Sequence, residues 1–275
     1  MELELLRYIQ SMASPALDLL FIGVSMLAEP AVLVAVLAWL YWNVSREAGQ
    51  FVSYAMLTSM TLNNGVKEIF RLPRPIGEEG IRTIYADTAT GYSFPSGHTQ
   101  MIATVSSSLS LWFRKNICWY LSILLMFLVA FSRMYLGVHY PKDVLVGLLL
   151  GVGVSWLCAR LYGQVLSRPA LYTVTFGAMA LFLPVARSHD FFMAFGLFGG
   201  FAAGCAFEER YVRFSIRDGL LHKLLRFAVG LALLGAVYAA GKLLPDTLPF
   251  VAVRYFLVGF GGYGLCPLAF RRLGI

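Results

Sequence analysis

Long apolar stretches recur along this chain with only short polar connections between them, and no other feature restricts the possible fold so severely. A run of about 20 apolar residues is what a helix needs to cross a hydrocarbon core. Lipid offers no partner to a backbone N–H or C=O, so such runs must satisfy themselves, as helices or as a closed barrel. Continuous apolar runs, rather than short alternating ones, select helices. Of the 275 residues 59% are hydrophobic and only 13% are charged, whereas soluble domains carry roughly 25% charged residues. The expected fold is all-α, a polytopic membrane helical bundle.

Nine spans are expected: one within residues 17–42, interrupted at Glu29-Pro30 so that it crosses once or twice, then 51–70, 98–113, 117–131, 144–158, 170–186, 190–207, 221–241 and 250–270. Before them, Leu3, Leu5, Leu6 and Ile9 give residues 1–13 the apolar side of an interfacial helix. SREAGQ (45–50) reads as the first polar connection. Pro73 and Pro75 forbid a helix through RLPRP. Residues 76–97 then form the longest polar connection, a length that suits a loop covering a site. Ser106, Ser107 and Ser108 with Gly147, Gly151 and Gly153 offer small surfaces on which helices can close together.

The net charge of +7, 22 basic against 15 acidic residues, would suggest nucleic acid in a soluble protein. Here the basic residues sit mostly in short connections, where they anchor to anionic lipid and set topology, so no nucleic-acid partner is expected. Cys118, Cys158, Cys205 and Cys266 lack CxxC spacing and read as buried small hydrophobes. No cleavable signal peptide is expected at the start of the chain. One side of the bundle receives Arg46, Arg114, Lys115, Arg160, Arg168, Arg210, Arg213, Arg217, Lys223, Arg271 and Arg272, and the positive-inside rule makes it cytoplasmic. Arg187, Lys242 and the cluster Lys67, Arg71, Arg74, Arg82, Arg133 and Lys142 fall on the other side. Cations kept there against the bias are better explained by an anionic ligand than by orientation.

Following the spans in order brings Lys67 and Arg74, then Ser96, Gly97 and His98, then Arg133, His139 and Asp143 to one depth on that outer side. Arg presents a planar fork to phosphate oxygens, whereas Lys is a point charge. Ser96-Gly97 just ahead of a helix adds unpaired first-turn amides and a favourable dipole. His139 and Asp143 are spaced i,i+4, on one helical face if the helix begins by Tyr140, so the carboxylate can accept a proton from one ring nitrogen and leave the other nitrogen for attack. His98 can protonate a leaving oxygen and later activate water. Each residue alone has a plainer reading: a snorkelling anchor for Lys or Arg, an interfacial histidine, a turn with its N-cap. Their joint placement points to an anion-handling site, and residue chemistry alone leaves binding and catalysis both open.

The pattern resembles the type 2 phosphatidic acid phosphatase (PAP2) superfamily, whose signature is K-x6-RP, PSGH and SR-x5-H-x3-D. Here these are Lys67 with Arg74-Pro75, then Pro95-Ser96-Gly97-His98, then Ser132-Arg133 with His139 and Asp143. The resemblance covers residues 15–163. It implies His139 as nucleophile, Asp143 as its orienter and His98 as general acid and base. It assigns Lys67, Arg74, Ser96, Gly97 and Arg133 to the phosphate, with no metal and no cofactor. It implies a PAP2-like catalytic core over 1–163. The chain departs from a compact member in its length: the additional C-terminal transmembrane helices over 164–275 are extra, to widen a lipid-entry groove, form a homodimer surface or act separately. Arg187, His189 and Asp190 either touch a headgroup or form an ordinary polar loop. The implied activity is metal-independent hydrolysis of a lipid phosphomonoester or diphosphate through a phosphohistidine, in a bacterial cytoplasmic membrane with the site facing the periplasm or exterior. Undecaprenyl diphosphate, phosphatidylglycerophosphate and phosphatidic acid are the candidate lipids. The competing readings are a phosphatase for a soluble sugar phosphate, suggested by a span number similar to glucose-6-phosphatase-like members, a lipid-phosphate transporter, and an inactive scaffold.

Overall fold

The computed structural model describes residues 1–164, 167–216 and 219–275, and Arg217, one of the basic residues assigned above to the cytoplasmic side, lies outside them. Among the described residues the secondary structure is helical throughout. The first half holds α1 (Glu2–Ser11), α2 (Pro15–Met26), α3 (Pro30–Asn43), α4 (Arg46–Phe70), α5 (Gly97–Phe113), α6 (Asn116–Tyr135) and α7 (Pro141–Gln164). The second holds α8 (Arg168–Met179), α9 (His189–Phe207), α10 (Leu220–Gly241), α11 (Leu248–Phe260) and α12 (Cys266–Leu273).

Local chemistry sets most of the boundaries. The Ser14 hydroxyl accepts from the Leu17 amide and Pro15 takes the first position of α2, so that helix starts where its orphan amides have a partner. Ser45 does the same for the Ala48 amide at 3.2 Å, which makes SREAGQ the first turns of α4 and not a connection. α4 stops at Arg71, which adopts a left-handed conformation (φ 49°) just ahead of the two prolines.

The spans differ in character more than hydropathy suggested. Among the described residues five helices are both long and apolar enough to cross a membrane, namely α6, α7, α10, α9 extended to Val212 and α11 extended through α12 to Leu273. The pair α2 and α3, bent by 47° at the Glu29-Pro30 break, makes a sixth as one broken span. That measure does not include α4, α5 or α8: α5 and α8 are shorter, at 17 and 12 residues, and α4 is richer in polar side chains. α4 is enclosed along nearly its whole length, from Ala48 to Glu68, and α5 is buried from Thr99 to Ser108. Helices shielded from lipid can carry polar side chains, and these two do. Asn63 Nδ2 donates to Gln100 Oε1 (2.7 Å), Gln100 Nε2 to the Ser59 carbonyl and hydroxyl (3.0 and 2.9 Å), and Thr104 Oγ1 to Ser59 Oγ (2.7 Å). Ser155 on α7 joins through the Thr104 carbonyl (2.8 Å). A buried network with its partners supplied holds helices in one register.

Small residues act where expected at two of three glycines on α7. A Cβ at Gly147 would lie 2.9 Å from the Ser96 carbonyl oxygen and one at Gly151 2.6 Å from that of Gln100, whereas Gly153 faces open space. α1 is a helix, but its apolar side meets protein: Leu6 and Ile9 are buried. Gln10 ties α1 to the 76–97 loop and to α6, donating to the Arg82 and Tyr135 carbonyls (2.7 and 2.9 Å). Arg82 in turn holds Asp18 with both nitrogens (2.9 and 2.8 Å). The long loop is therefore strapped across one end of the bundle.

Candidate active site

The three polar clusters meet at that end. α4 delivers Lys67 at its C-terminus, the following loop delivers Arg74, α5 begins at Gly97-His98, α6 ends with Arg133, and His139 and Asp143 lie at the entry to α7. A cavity of about 430 Å³ opens among them, lined by Lys67, Arg74, Gly97 and His98, with Glu29 and Asp190 on its rim. A Cβ on Gly97 would stand 3.9 Å from Lys67 Nζ, so the ammonium and the first turn of α5 face one space.

His139 is buried directly behind Arg74, whose Nη1 approaches His139 Nε2 at 2.8 Å. A guanidinium can only donate, so Nε2 carries the lone pair and Nδ1 the proton. That proton points to Asp143 Oδ2 at 3.4 Å. The i,i+4 spacing of the pair is not helical. His139 precedes α7, which starts at Pro141, so the two do not share a helical face. The carboxylate instead folds back to accept from the Tyr140 amide (2.9 Å) and the Ser93 hydroxyl (2.5 Å), and that anchoring aims it at the ring.

The electrostatics suit a neutral imidazole among cations. Burial, followed by the charges of Arg74, Arg133, Lys67 and His98, pushes His139 well below the usual histidine range. Burial also lowers Arg74 to about 10 against the opposing pull of Asp143 and Asp190, which leaves it charged at neutral pH. Arg74 is held in place by carbonyls, among them those of Thr90 (2.6 Å), Gly91 and Val138 (both 3.0 Å).

Four expected residues do not line the cavity: His139 and Asp143, described above, and Arg133 and Ser96. Arg133 is fully buried, with Nη1 on Ser25 Oγ at 2.5 Å, while its Nε and Nη2 have no hydrogen-bond partner among the described residues; His98 Nε2 is likewise buried and unpartnered among them. Buried donors left open beside a cavity of like charge are where an anion gains most. Ser96 is also fully buried: its amide donates to the Asp143 carbonyl (2.9 Å), and its hydroxyl pairs with Thr99 Oγ1 (3.0 Å). It joins the start of α5 to the start of α7 and does not line the cavity. Sequence reasoning missed Ser93 and Ser25, single serines in a polar loop and an apolar helix with no spacing signal. Of the polar residues 187, 189 and 190, Asp190 in the first turn of α9 lines the cavity and accepts from Thr90 Oγ1 at 2.8 Å, while Arg187 and His189 do not line it.

Comparison with known proteins adds to this geometry. Residues 49–166 match the PAP2 superfamily, and residues 192–275 match a family described as PAP2 superfamily phosphatase, transmembrane extension. An undecaprenyl-diphosphatase of Sulfolobus acidocaldarius is 31% identical over 44% of this chain and 59% of that relative, so the chain spans less than two thirds of its length. The undecaprenyl-diphosphatase BcrC of Bacillus subtilis is 28% identical, over 58% of this chain and 83% of its own. The crystal structure of Aquifex aeolicus LpxE superposes with a TM-score of 0.53 at 30% identity, covering 58% of this chain and 94% of that one.

Proposed function

The chain belongs to the PAP2 superfamily, and from that membership we propose that it hydrolyses a lipid phosphomonoester or diphosphate in the membrane through a phosphohistidine on His139. The observation that carries the reading is the 2.8 Å approach of Arg74 to His139 Nε2, which puts a phosphate-binding fork on the one ring nitrogen free to attack. In the first step the Nε2 lone pair forms a bond to phosphorus, and the bond from phosphorus to the leaving oxygen breaks. His98 gives that oxygen a proton. Lys67, Arg74, Arg133 and the Gly97 amide balance the charge on the transferred group, which is the main task in phosphoryl transfer. In the second step His98 takes a proton from water as the water oxygen attacks phosphorus, releasing phosphate and restoring His139.

We read residues 1–163 as the catalytic core and 164–275 as the added helices, a division in line with the two stretches matched by family. The surplus of Lys and Arg on the opposite side supports a site facing the periplasm or exterior of a bacterial cytoplasmic membrane. The relatives' names favour undecaprenyl diphosphate among the candidate lipids, ahead of phosphatidylglycerophosphate and phosphatidic acid. Purified protein in detergent with chelator present should release inorganic phosphate from at least one lipid of this panel, and His139→Ala should not. Release by His139→Ala at the wild-type rate removes the nucleophile; release from glucose 6-phosphate alone makes the substrate a soluble sugar phosphate.

A further inference from the structure

We propose that the C-terminal helices form, with α3 and α4, a binding groove for one long hydrocarbon chain of the substrate. This rests on the phosphatase reading above and names the part of the substrate that the added helices hold. The groove is an apolar cavity of about 430 Å³ bounded by α3 and α4 on one side and by α9, α10 and α11 on the other. Its walls include Val34, Leu37, Met56, Leu197, Leu234 and Val258.

The groove continues the phosphate cavity. Pro30, Ala31, Met60 and Met193 line both spaces, so a molecule with its phosphate against Lys67 and Arg74 meets an apolar channel where its tail must go. From Pro30 at the mouth to Trp42 at the far end, α3 advances twelve residues, about 18 Å at 1.5 Å per residue. That is more than half of the roughly 30 Å hydrocarbon core. Methionines at the junction suit a passage that must fit a flexible chain, because their side chains adapt in shape.

The far end is closed by construction. α11 is interrupted by a π-helical turn, Gly261–Leu265, which releases carbonyls from the helix ladder. Trp42 Nε1 donates to the Gly262 carbonyl at 3.0 Å and the Tyr41 hydroxyl to that of Tyr263 at 3.4 Å. α10 presses on the same tryptophan, since a Cβ at Gly230 would lie 2.4 Å from its ring. Core and added helices therefore meet at that end, and toward the other end the groove adjoins the phosphate cavity along α3, α4 and α9.

The test uses full-length protein in nanodiscs and monoalkyl phosphates from hexyl to hexadecyl. Wild-type kcat/KM should climb with chain length and level off once the chain reaches Trp42. Val34→Trp and Leu234→Trp, which fill the slot away from the chemistry, should each lower kcat/KM for hexadecyl phosphate by about tenfold or more while leaving hexyl phosphate within about twofold. Equal losses on both chain lengths, or no loss on either, overturn the proposal. A hexadecyl phosphate carrying a terminal diazirine gives a reading that does not depend on turnover. Label on α3 and α11 peptides, competed by hexadecyl phosphate but not by phosphatidylcholine and lost in both tryptophan variants, supports the groove. Label competed equally by phosphatidylcholine identifies a resident bilayer lipid and overturns it, as does label confined to the outer faces of α6 and α7. If the wild type hydrolyses no alkyl phosphate, the lipid panel above decides the phosphatase reading and the crosslink alone decides the groove.

Discussion

Both halves of the bundle bring helices close at glycines, Gly147 and Gly151 in the first and Gly200 and Gly259 in the second, but the first adds a buried hydrogen-bond network. α4, α5 and α7 are joined by directional contacts among Asn63, Gln100, Ser59, Thr104 and Ser155. α9 and α11 are joined by close backbone approach: a Cβ at Gly200 would fall 2.1 Å from the Phe256 carbonyl oxygen, and one at Gly259 2.5 Å from that of Leu197. Hydrogen bonds define distance and angle, so they suit the half that must hold two histidines and three cations in register. Close apolar contact fixes how near two helices come and demands less of the groups around them, so it suits a wall. The chemistry is built on the first kind of packing and the hydrocarbon slot is framed by the second.

Removing the nucleophile tests the contrast most severely. His139→Asn should cost on the order of 10⁴-fold or more in kcat with little change in thermal stability, followed as phosphate release alongside a melting curve. A large loss of stability would mean that the ring serves the fold as well as the chemistry. On the other side, Gly200→Leu should destabilise the protein by about 3 kcal/mol or more through overpacking, seen as a lowered Tm. If its Tm is unchanged, α9 and α11 are not set by backbone contact.

Smaller changes sharpen the picture. Ser93→Ala withdraws one of the anchors of Asp143 and should lower kcat by about tenfold with KM little altered; an unchanged kcat would mean that the Tyr140 amide is enough to aim the carboxylate. The smallest effect expected is a displacement along the pH axis. As the proposed nucleophile His139 must be neutral, and its protonation is disfavoured by burial and by neighbouring cations, so the acid limb of kcat/KM should lie below the ordinary histidine range. Arg74→Gln removes one of those cations, makes protonation easier and should move the limb, and the ring-nitrogen titration of the ligand-free protein, to higher pH. A limb that stays where it was, or moves down, would place its titration on another group.

The meeting of Lys67, Arg74, His98, Arg133, His139 and Asp143 at one end of the bundle was legible because each lies in or within a few residues of a helix end and hydropathy alone orders those ends by side. The His139–Asp143 pairing was legible too, but for the wrong reason: a spacing of four suggested one helical face, while the contact comes from a carboxylate turned back onto Tyr140 and Ser93. Ser93, Ser25 and the Thr99 partner of Ser96 were invisible, since a lone serine has many local uses and only packing selects one. Length and hydropathy alone support six of the nine expected spans among the described residues and leave α4, α5 and α8 undecided, because a helix enclosed by protein, as α4 and α5 are, can be polar and a short one can still be apolar.

Covalent sequence was sufficient for everything that follows from solvation of single segments: helices in a membrane, their approximate limits, and the gathering of charge at one end. Tertiary structure alone decided what depends on distances between segments. It sealed Trp42 onto Gly262, joined the apolar slot to the phosphate cavity through Met60 and Met193, and brought Asp190 of the added helices to the rim of that cavity. Segment energetics depend on composition, which is local, whereas the shape of a space between helices depends on how far apart residues distant in the chain come to rest.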